Sequence, residues 1–415
     1  MKSFKNISAT GVLTRTARLG CLVLVLAAGL RTDAADFSQV PGVVIDHLPA
    51  STGLYVGSPS IVIWTNGDYV ASHDFFGPKS TENTEAVTAV FRSGDRGDTW
   101  QKAATLHDQF WSSLFVNRGA LYLMGTDKQN GNVVIRRSFN GGTSWTTPAD
   151  KATGRLRTDA EYHTAPTPAV ERGGRLWRAM EQRNPPVGWG VNFRAGMLSA
   201  PMDADLLAAT NWTASNFLPR NPDWLGGRFN AWLEGNAVIA PDGRIVDVLR
   251  VDKPNLPEKA ALVEIGADGR TAAFNPKTGF VDFPGGAKKF TIRFDPESRL
   301  YWSLANIIPP EIRTVEPPGA MRNTLALVSS SDLRQWTVRQ VVLQHANPDK
   351  YGFQYADWQF DGDDLIAVCR TAYDDGLGGA HNYHDANFLT FHRWKSFREL
   401  TMAPSLPIEP PAKHR

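Results

Sequence analysis

The segment Ser93 to Trp100 reads S-G-D-R-G-D-T-W, and the same frame returns at Ser138 to Trp145 as S-F-N-G-G-T-S-W. A worn copy, S-S-D-L-R-Q-W, runs from Ser330 to Trp336. Each copy lies between two strand-like runs, so the chain makes one kind of β-hairpin turn repeatedly. The acid or amide at the third position can accept bonds from N–H groups of its own turn. Glycine at the fifth tolerates positive φ, and the tryptophan is expected to be buried beneath the hairpin. Such staples specify a fold built from small antiparallel sheets. They carry no chemistry of their own.

Short β-rich runs separated by turn signals continue from about Ser58 to the end, with almost no helical periodicity. They fall into groups at Ile61–Leu106, Leu114–Thr147, Thr167–Leu218, Asn236–Phe274, Phe290–Leu343 and Tyr355–Trp394. Asn66-Gly67, Asp242-Gly243, Asp268-Gly269 and Asp361-Gly362 supply turns. The expectation is a single all-β propeller of four-stranded blades, six by strand count, occupying residues 36–415. The last group offers three strands. Val43–Leu48 can supply the fourth beside Phe388–His392 and remove the ring's open edges. Pro185–Phe193 and Ile307–Gly319, rich in Pro and Gly, are expected to be long loops on the binding face.

Residues 1–35 belong to something else. Lys2, Lys5, Arg15 and Arg18 precede an apolar run from Leu19 to Leu30, followed by small residues including Ala34 and Ala35. That is the layout of a secretory signal cleaved near Ala34, too short for a stable membrane anchor. The expected location is secreted or periplasmic, with no membrane attachment afterwards. Cys21 is poorly placed for lipidation, because Arg18 stands where an aliphatic residue is wanted. Cleavage lowers Lys+Arg from 44 to 39 and Asp+Glu from 42 to 41, so net charge moves from +2 to −2. Such a surface lacks the basic footprint of a nucleic-acid binder. Cys369 then stands alone in a strand-like run, which excludes an intrachain disulfide and points to core packing.

Polar clusters that interrupt strand patterns near blade starts are the candidate site residues. They contain His73; Glu161, Tyr162 and His163 followed by Arg178 and Glu181; Glu234 and Asn236; and His381, His384, Asp385 and Asn387. The H-x-x-H-D spacing of the last cluster could hold a structural metal ion. Its mixture of amides and imidazoles suits sugar hydroxyls better, so no cofactor is required. Tyr162 and Arg178 form the sharpest chemical pair. A guanidinium beside a phenol favours phenolate and makes a usable base or acid. Arg178 could equally pair with Glu161 or Glu181 as scaffold.

The repeated turns resemble the Asp boxes of sialidase-type propellers. The stretches E-Y-H-T-A-P-T-P…G-R-L-W-R-A-M-E, K-K-F-T-I-R-F-D-P…Y-W-S-L-A-N and D-G-L-G-G-A-H-N-Y-H-D-A-N-F-L-T-F-H-R resemble a bacterial group of secreted sialidase-like propellers. One branch, the propeller ulvan lyases, uses a Tyr, an Arg sixteen residues later, and histidines that neutralise the uronate. Tyr162 and Arg178 match that spacing. Another is a rhamnosidase family acting on rhamnosyl-glucuronate through a single histidine, for which His47 is a positional guess. Both branches are described as seven-bladed. Relatives carry His where Asn117 stands here, which weakens a neutralising group. True sialidase activity is disfavoured, because Val56-Gly-Ser-Pro-Ser60 has no arginine where the first of an arginine triad belongs.

The resemblance implies an enzyme acting on an acidic, rhamnose- and uronate-containing polysaccharide or oligosaccharide by β-elimination. In that scheme Tyr162 transfers protons, Arg178 with His163 or His73 neutralises the carboxylate, and Asn117, Glu181, Glu234, Asn236, His381, His384, Asp385 and Asn387 bind sugar. Rhamnoside hydrolysis and a non-catalytic glycan-binding propeller are the alternatives.

Overall fold

The structure is a computed structural model that describes residues 36–312 and 317–400, so the leader expected over residues 1–35 lies outside the described residues. Six antiparallel sheets follow one another along the chain and form a six-bladed propeller. Blade 1 is built from Tyr55–Val56, Ser60–Ile63, Tyr69–Phe76, Val87–Ser93 and Gln101–His107. Blade 2 uses Phe110–Asn117, Ala120–Thr126, Val133–Ser138 and Arg155–Arg157, and blade 3 uses Glu161–His163, Val170–Arg172, Arg175–Arg183, Phe193–Pro201 and Thr213–Ala214. Blade 4 spans Ala231–Ile239 to Phe280–Asp282, and blade 5 spans Thr291–Asp295 to Thr337–Gln344. Blade 6 comprises Gly352–Asp361, Asp364–Ala372 and Phe388–Trp394, completed by Val43–His47 from the other end of the chain. The closing strand pairs antiparallel, with Val43 opposite Phe391 and His47 opposite Phe388, as its position in the strand count requires. Six blades, rather than the seven of the resembled branches, fill the described residues.

The core lies between blades rather than within one. Val62, Val70 and Val90 of blade 1 meet Leu114, Leu121 and Leu123 of blade 2. Comparable buried clusters join blades 2 and 3, 3 and 4, 4 and 5, and 5 and 6. The sixth forms only because the ring closes: Ile366, Val368, Leu389 and Phe391 pack against Val56, Ile61, Tyr69 and Phe91. Strands buried on both faces read as continuous apolar runs, which is why I-V-D-V-L-R-V and L-I-A-V-C look alike in sequence. Cys369 is buried in one of these clusters, and burial pushes its thiol up to about 12. Among the described residues no helix is long and apolar enough to cross a membrane.

The three repeated turns share one bonding scheme. In the first, Ser93 Oγ donates to Asp95 Oδ1 at 2.7 Å, the Gly97 N–H donates to Ser93 Oγ, and the Thr99 N–H donates to Asp95 Oδ1. Asn140 and Asp332 accept the corresponding bonds in the second and third. Each tryptophan Nε1–H donates to the carbonyl three residues earlier, from Trp100 to Gly97, Trp145 to Gly142 and Trp336 to Leu333. At φ +98° Gly97 leaves no room for a side chain, since an added Cβ would lie 2.2 Å from the Phe391 ring. The expectation that Trp100 and Trp145 are buried is corrected. Each is half-buried and packs against an inter-blade cluster.

Trp100→Ala should therefore cost roughly 2–3 kcal/mol, less than the ~3–5 typical of a fully buried aromatic. Urea denaturation measures this, and turnover per folded molecule should be unchanged.

Candidate active site

The inner strand of every blade except the fifth is interrupted where it reaches one mouth of the ring. In blades 2, 4 and 6 the interruption is a register shift, at Phe110/Ser113, Leu233/Asn236 and Gln354/Asp357. Inside each shift sits a large residue with left-handed backbone: Trp111 at φ +48°, Glu234 at +59° and Tyr355 at +55°. Bulges re-aim side chains, and non-glycine residues in this region cost energy that surrounding structure must hold. All three residues line the same cavity of about 180 Å³. Blade 1 contributes Gly57 and Ser58 from the gap between its two inner segments, and blade 3 contributes His163 from the end of its first. Phe76, Glu82, Phe110, Gln129, Trp189, Arg370 and His384 complete the wall.

The Tyr355 hydroxyl donates to Glu234 Oε1 at 2.8 Å, and Arg250 Nη1 donates to Glu234 Oε2 at 3.0 Å. Glu234 is buried, which by itself would raise its carboxyl. The Arg250 charge foremost, then His163 and the two donated bonds, hold it below the ordinary range instead. Two further guanidinium groups flank the phenol ring, Arg370 at 5.0 Å and Arg322 at 5.5 Å from its centroid. Burial brings Arg370 down to about 10, so it remains charged at neutral pH. It donates to the His384 carbonyl at 3.1 Å, and His384 Nδ1 bonds Asp385 Oδ1 at 2.8 Å. Burial and then the Arg370 charge push His384 down to about 3, which keeps that imidazole neutral. In the loop after Phe76, whose ring Arg370 covers at 4.3 Å, Glu82 is half-buried, accepts from the Gly77 N–H at 3.2 Å, and has its carboxyl raised by burial. The cavity thus holds one carboxyl held low by its partners, one raised by burial, and a phenol bonded to the first.

Of the residues singled out in the sequence, His163, Glu234 and His384 meet at this cavity. His163 Nδ1 bonds Glu181 Oε2 at 2.8 Å, and Glu181 Oε1 accepts from the Gly235 N–H, so Glu181 positions the imidazole from behind. Tyr162 and Arg178 do not form a pair. Tyr162 lies opposite Gln182 on the neighbouring strand, four residues or roughly 13 Å along from Arg178. Tyr162 is buried in the cluster between blades 2 and 3, with its hydroxyl donating to Asp159. Burial raises this phenol, the opposite of activation. Arg178 is fully buried and donates to Thr167, Ser113 and the carbonyls of Ala165 and Ala179, tying inner strands together.

His73 is also committed to the scaffold, with Nε2 on Asp46 at 2.8 Å and Nδ1 on the Asp74 carbonyl at 2.9 Å. Asn117 sits seven residues beyond Phe110 on one strand, roughly 20 Å from the cavity. Its amide bonds the Met202 carbonyl there, so whether Asn or His occupies this position does not touch the mouth. Asn236 bridges to the Phe290 carbonyl and the Ile292 N–H, and Asn387 to Tyr373 and Asp375. Asp385 bonds both His381 and His384 at 2.8 Å, and the Arg370 guanidinium beside His384 makes that cluster a poor cation site. His47 bonds Asp375 and stacks on Phe388. Of the two loops, the Trp189 loop reaches the cavity, while Ile308–Ile312 borders a separate groove beside Trp336.

Sequence reading missed Tyr355, Arg250, Arg322, Arg370 and Glu82. A signal existed for two of them. Arg250 and Arg370 are buried cations in the mostly apolar strands Ile245–Asp252 and Asp364–Ala372, where an arginine is almost never buried without a partner.

No family model matches the chain, and no curated protein matches it. Solved structures do. The chain is similar to an α-L-arabinanase from Penicillium chrysogenum complexed with arabinobiose, with 14% identity and a TM-score of 0.54 over 86% of this chain and 98% of that one. It is similar to a Hadza microbial sialidase, with 12% identity and a TM-score of 0.59 over 86% and 69% of the two chains. It is also similar to an α-L-arabinofuranosidase from Fusarium graminearum, with 10% identity and a TM-score of 0.52 over 86% and 98%. At such identities these likenesses establish the sialidase-like propeller fold.

Proposed function

We propose that this chain is an exported glycoside hydrolase that acts with retention on an anionic glycoside, using Tyr355 as nucleophile. The observation that carries the reading is the 2.8 Å hydrogen bond from the Tyr355 hydroxyl to the ionised Glu234, inside a cavity that also contains a protonatable Glu82. A neutral phenol can approach a sugar bearing a carboxylate, where a carboxylate nucleophile would be repelled. Sialidases supply the precedent for tyrosine in this role. The sialidase and arabinan-degrading enzymes among the structural neighbours lend support to a sugar substrate.

In the first step the Tyr355 oxygen attacks the anomeric carbon while Glu234 takes the phenolic proton. Glu82 gives its proton to the departing glycosidic oxygen. In the second, Glu82 takes a proton from water as that water attacks the anomeric carbon. The Tyr355 oxygen leaves and recovers its proton from Glu234. The sum is glycoside plus water to free sugar plus alcohol, with both carboxyl groups restored. Arg322 and Arg370 face the substrate anion, and Arg250 keeps Glu234 ionised. The β-elimination scheme has less support, because its proton-transferring phenol and its arginine are both locked into packing. Gly57 and Ser58, from the stretch that carries no arginine, line the cavity, so the cations offered to the anion are Arg370 on the wall and Arg322 behind the Tyr355 ring. This favours a uronate or another acidic sugar over sialic acid.

Incubation with ulvan, acidic arabinogalactan and sialyllactose tests the reading. Released reducing sugar without ultraviolet absorbance from unsaturated uronates supports hydrolysis, whereas such absorbance returns the elimination scheme. Tyr355→Phe should lower kcat by about 10²–10⁴ at an unchanged melting temperature. Glu82→Gln should slow natural glycosides strongly and nitrophenyl glycosides little, because nitrophenolate leaves without a proton.

The pH profile follows from the two carboxyl groups. Protonating Glu234 removes the base, so activity falls on the acid side below the ordinary glutamate value. Ionising Glu82 removes the acid, so activity also falls on the alkaline side, at a value above the ordinary one. A bell-shaped kcat/KM curve is expected, and Glu82→Gln should erase its alkaline limb while leaving the acid limb in place.

A further inference from the structure

The cavity of about 180 Å³ is below the usual size of a small-molecule site and has room for about one sugar ring. The rest of any oligosaccharide must lie on the rim. There the loop between Arg183 and Phe193 presents Trp189, 49% exposed, between Val187 at 58% and Val191 at 38%. Among the described residues it is the one tryptophan more than a third exposed. The loop is built to hold it. Asn192 Nδ2 donates to the Val187 carbonyl, Arg183 Nε to the Gly188 carbonyl, and the Phe193 N–H to the Gly190 carbonyl. Gly188 and Gly190, at φ +65° and +72°, make the turns on either side of the indole.

Trp189 also continues a wall. Its ring stands edge-on to His163 at 6.0 Å, and His163 stands edge-on to Trp111 at 4.5 Å. With Nδ1 held by Glu181, His163 has Nε2 to offer a sugar hydroxyl. Blade 3, which carries His163 and Trp189, faces blade 6 and Tyr355 across the six-fold ring. Past the loop the rim opens into a cleft of about 470 Å³ lined by Lys128, Asn130, Asn132, Asp159, Glu161 and Arg183, with Arg183 paired to Glu161 and Gln129 bordering the cavity itself. We propose that Trp189 is the stacking residue of a second sugar subsite on the blade 3 rim, making this an enzyme that selects oligosaccharides over single-sugar glycosides. The inference rests on the hydrolase reading. An indole face receives the C–H face of a sugar ring, while the amides and carboxylates of the adjoining cleft receive its hydroxyls.

The test uses acidic ulvan oligosaccharides of two to six residues and a nitrophenyl glucuronide as probes. In the Tyr355→Phe protein, limiting N-bromosuccinimide should oxidise Trp189 first, as peptide mass spectrometry would map. The longer oligosaccharides should protect it several-fold, and the nitrophenyl glucuronide should not. In the otherwise wild-type enzyme, Trp189→Ala should lower kcat/KM at least ten-fold on the oligosaccharides and less than three-fold on the glucuronide, with Trp189→Phe restoring most of the difference. Equal losses on both probes, or no protection by any oligosaccharide, would overturn the subsite. Full turnover by Tyr355→Phe alongside intact chain-length protection would instead remove the catalytic assignment and leave the subsite standing.

Discussion

Everything at the cavity depends on a ring closed by chain ends that lie more than three hundred residues apart. Val43–His47 must find Phe388–Trp394 before the last inter-blade cluster can form. Until then Glu234 on blade 4 and Tyr355 on blade 6 have no fixed separation, and the hydrogen bond between them has no fixed length. Closure also removes the two open sheet edges that would otherwise invite pairing with another chain. The apolar interfaces supply the stability; their geometry sets where the inner strands end.

Three residues of the cavity wall occupy strained positions. Trp111, Glu234 and Tyr355 each adopt a left-handed backbone inside a bulge, on three different blades. The strain is offset by specific bonds. Fully buried Asp74, raised to about 7 by burial, accepts the Trp111 N–H at 2.7 Å and the Thr88 hydroxyl at 2.6 Å. Arg250 anchors Glu234, and Glu181 accepts the neighbouring Gly235 N–H. The same carboxylate that orients His163 therefore also fixes the bulge carrying Glu234, which couples the aromatic side of the cavity to its charged side.

How much of this could be read in advance follows from the range of the interactions. The Asp-box turns and the closing strand were legible because their chemistry is local or is forced by counting strands. His163, Glu234 and His384 were legible as polar interruptions of apolar patterns. Tyr355 was not: G-F-Q-Y-A-D-W-Q-F reads as an ordinary strand, and only tertiary packing shows that its third turn of alternation is broken. Tyr162 and Arg178 misled for the converse reason. Their spacing matched a resemblance, but the observed register sets Tyr162 against Gln182 and leaves Arg178 four residues further along. A spacing along the chain becomes a contact only once the register is known.

The central claim is that a sugar becomes bonded to the Tyr355 oxygen. The most direct measurement is peptide mass spectrometry of enzyme quenched during turnover of a 2-fluoro acidic glycoside, which slows breakdown of the adduct. The account predicts one added sugar on the peptide containing Tyr355, together with release of product of unchanged anomeric configuration. A sugar attached to a glutamate, or an inverted product with no adduct on any peptide, would contradict it.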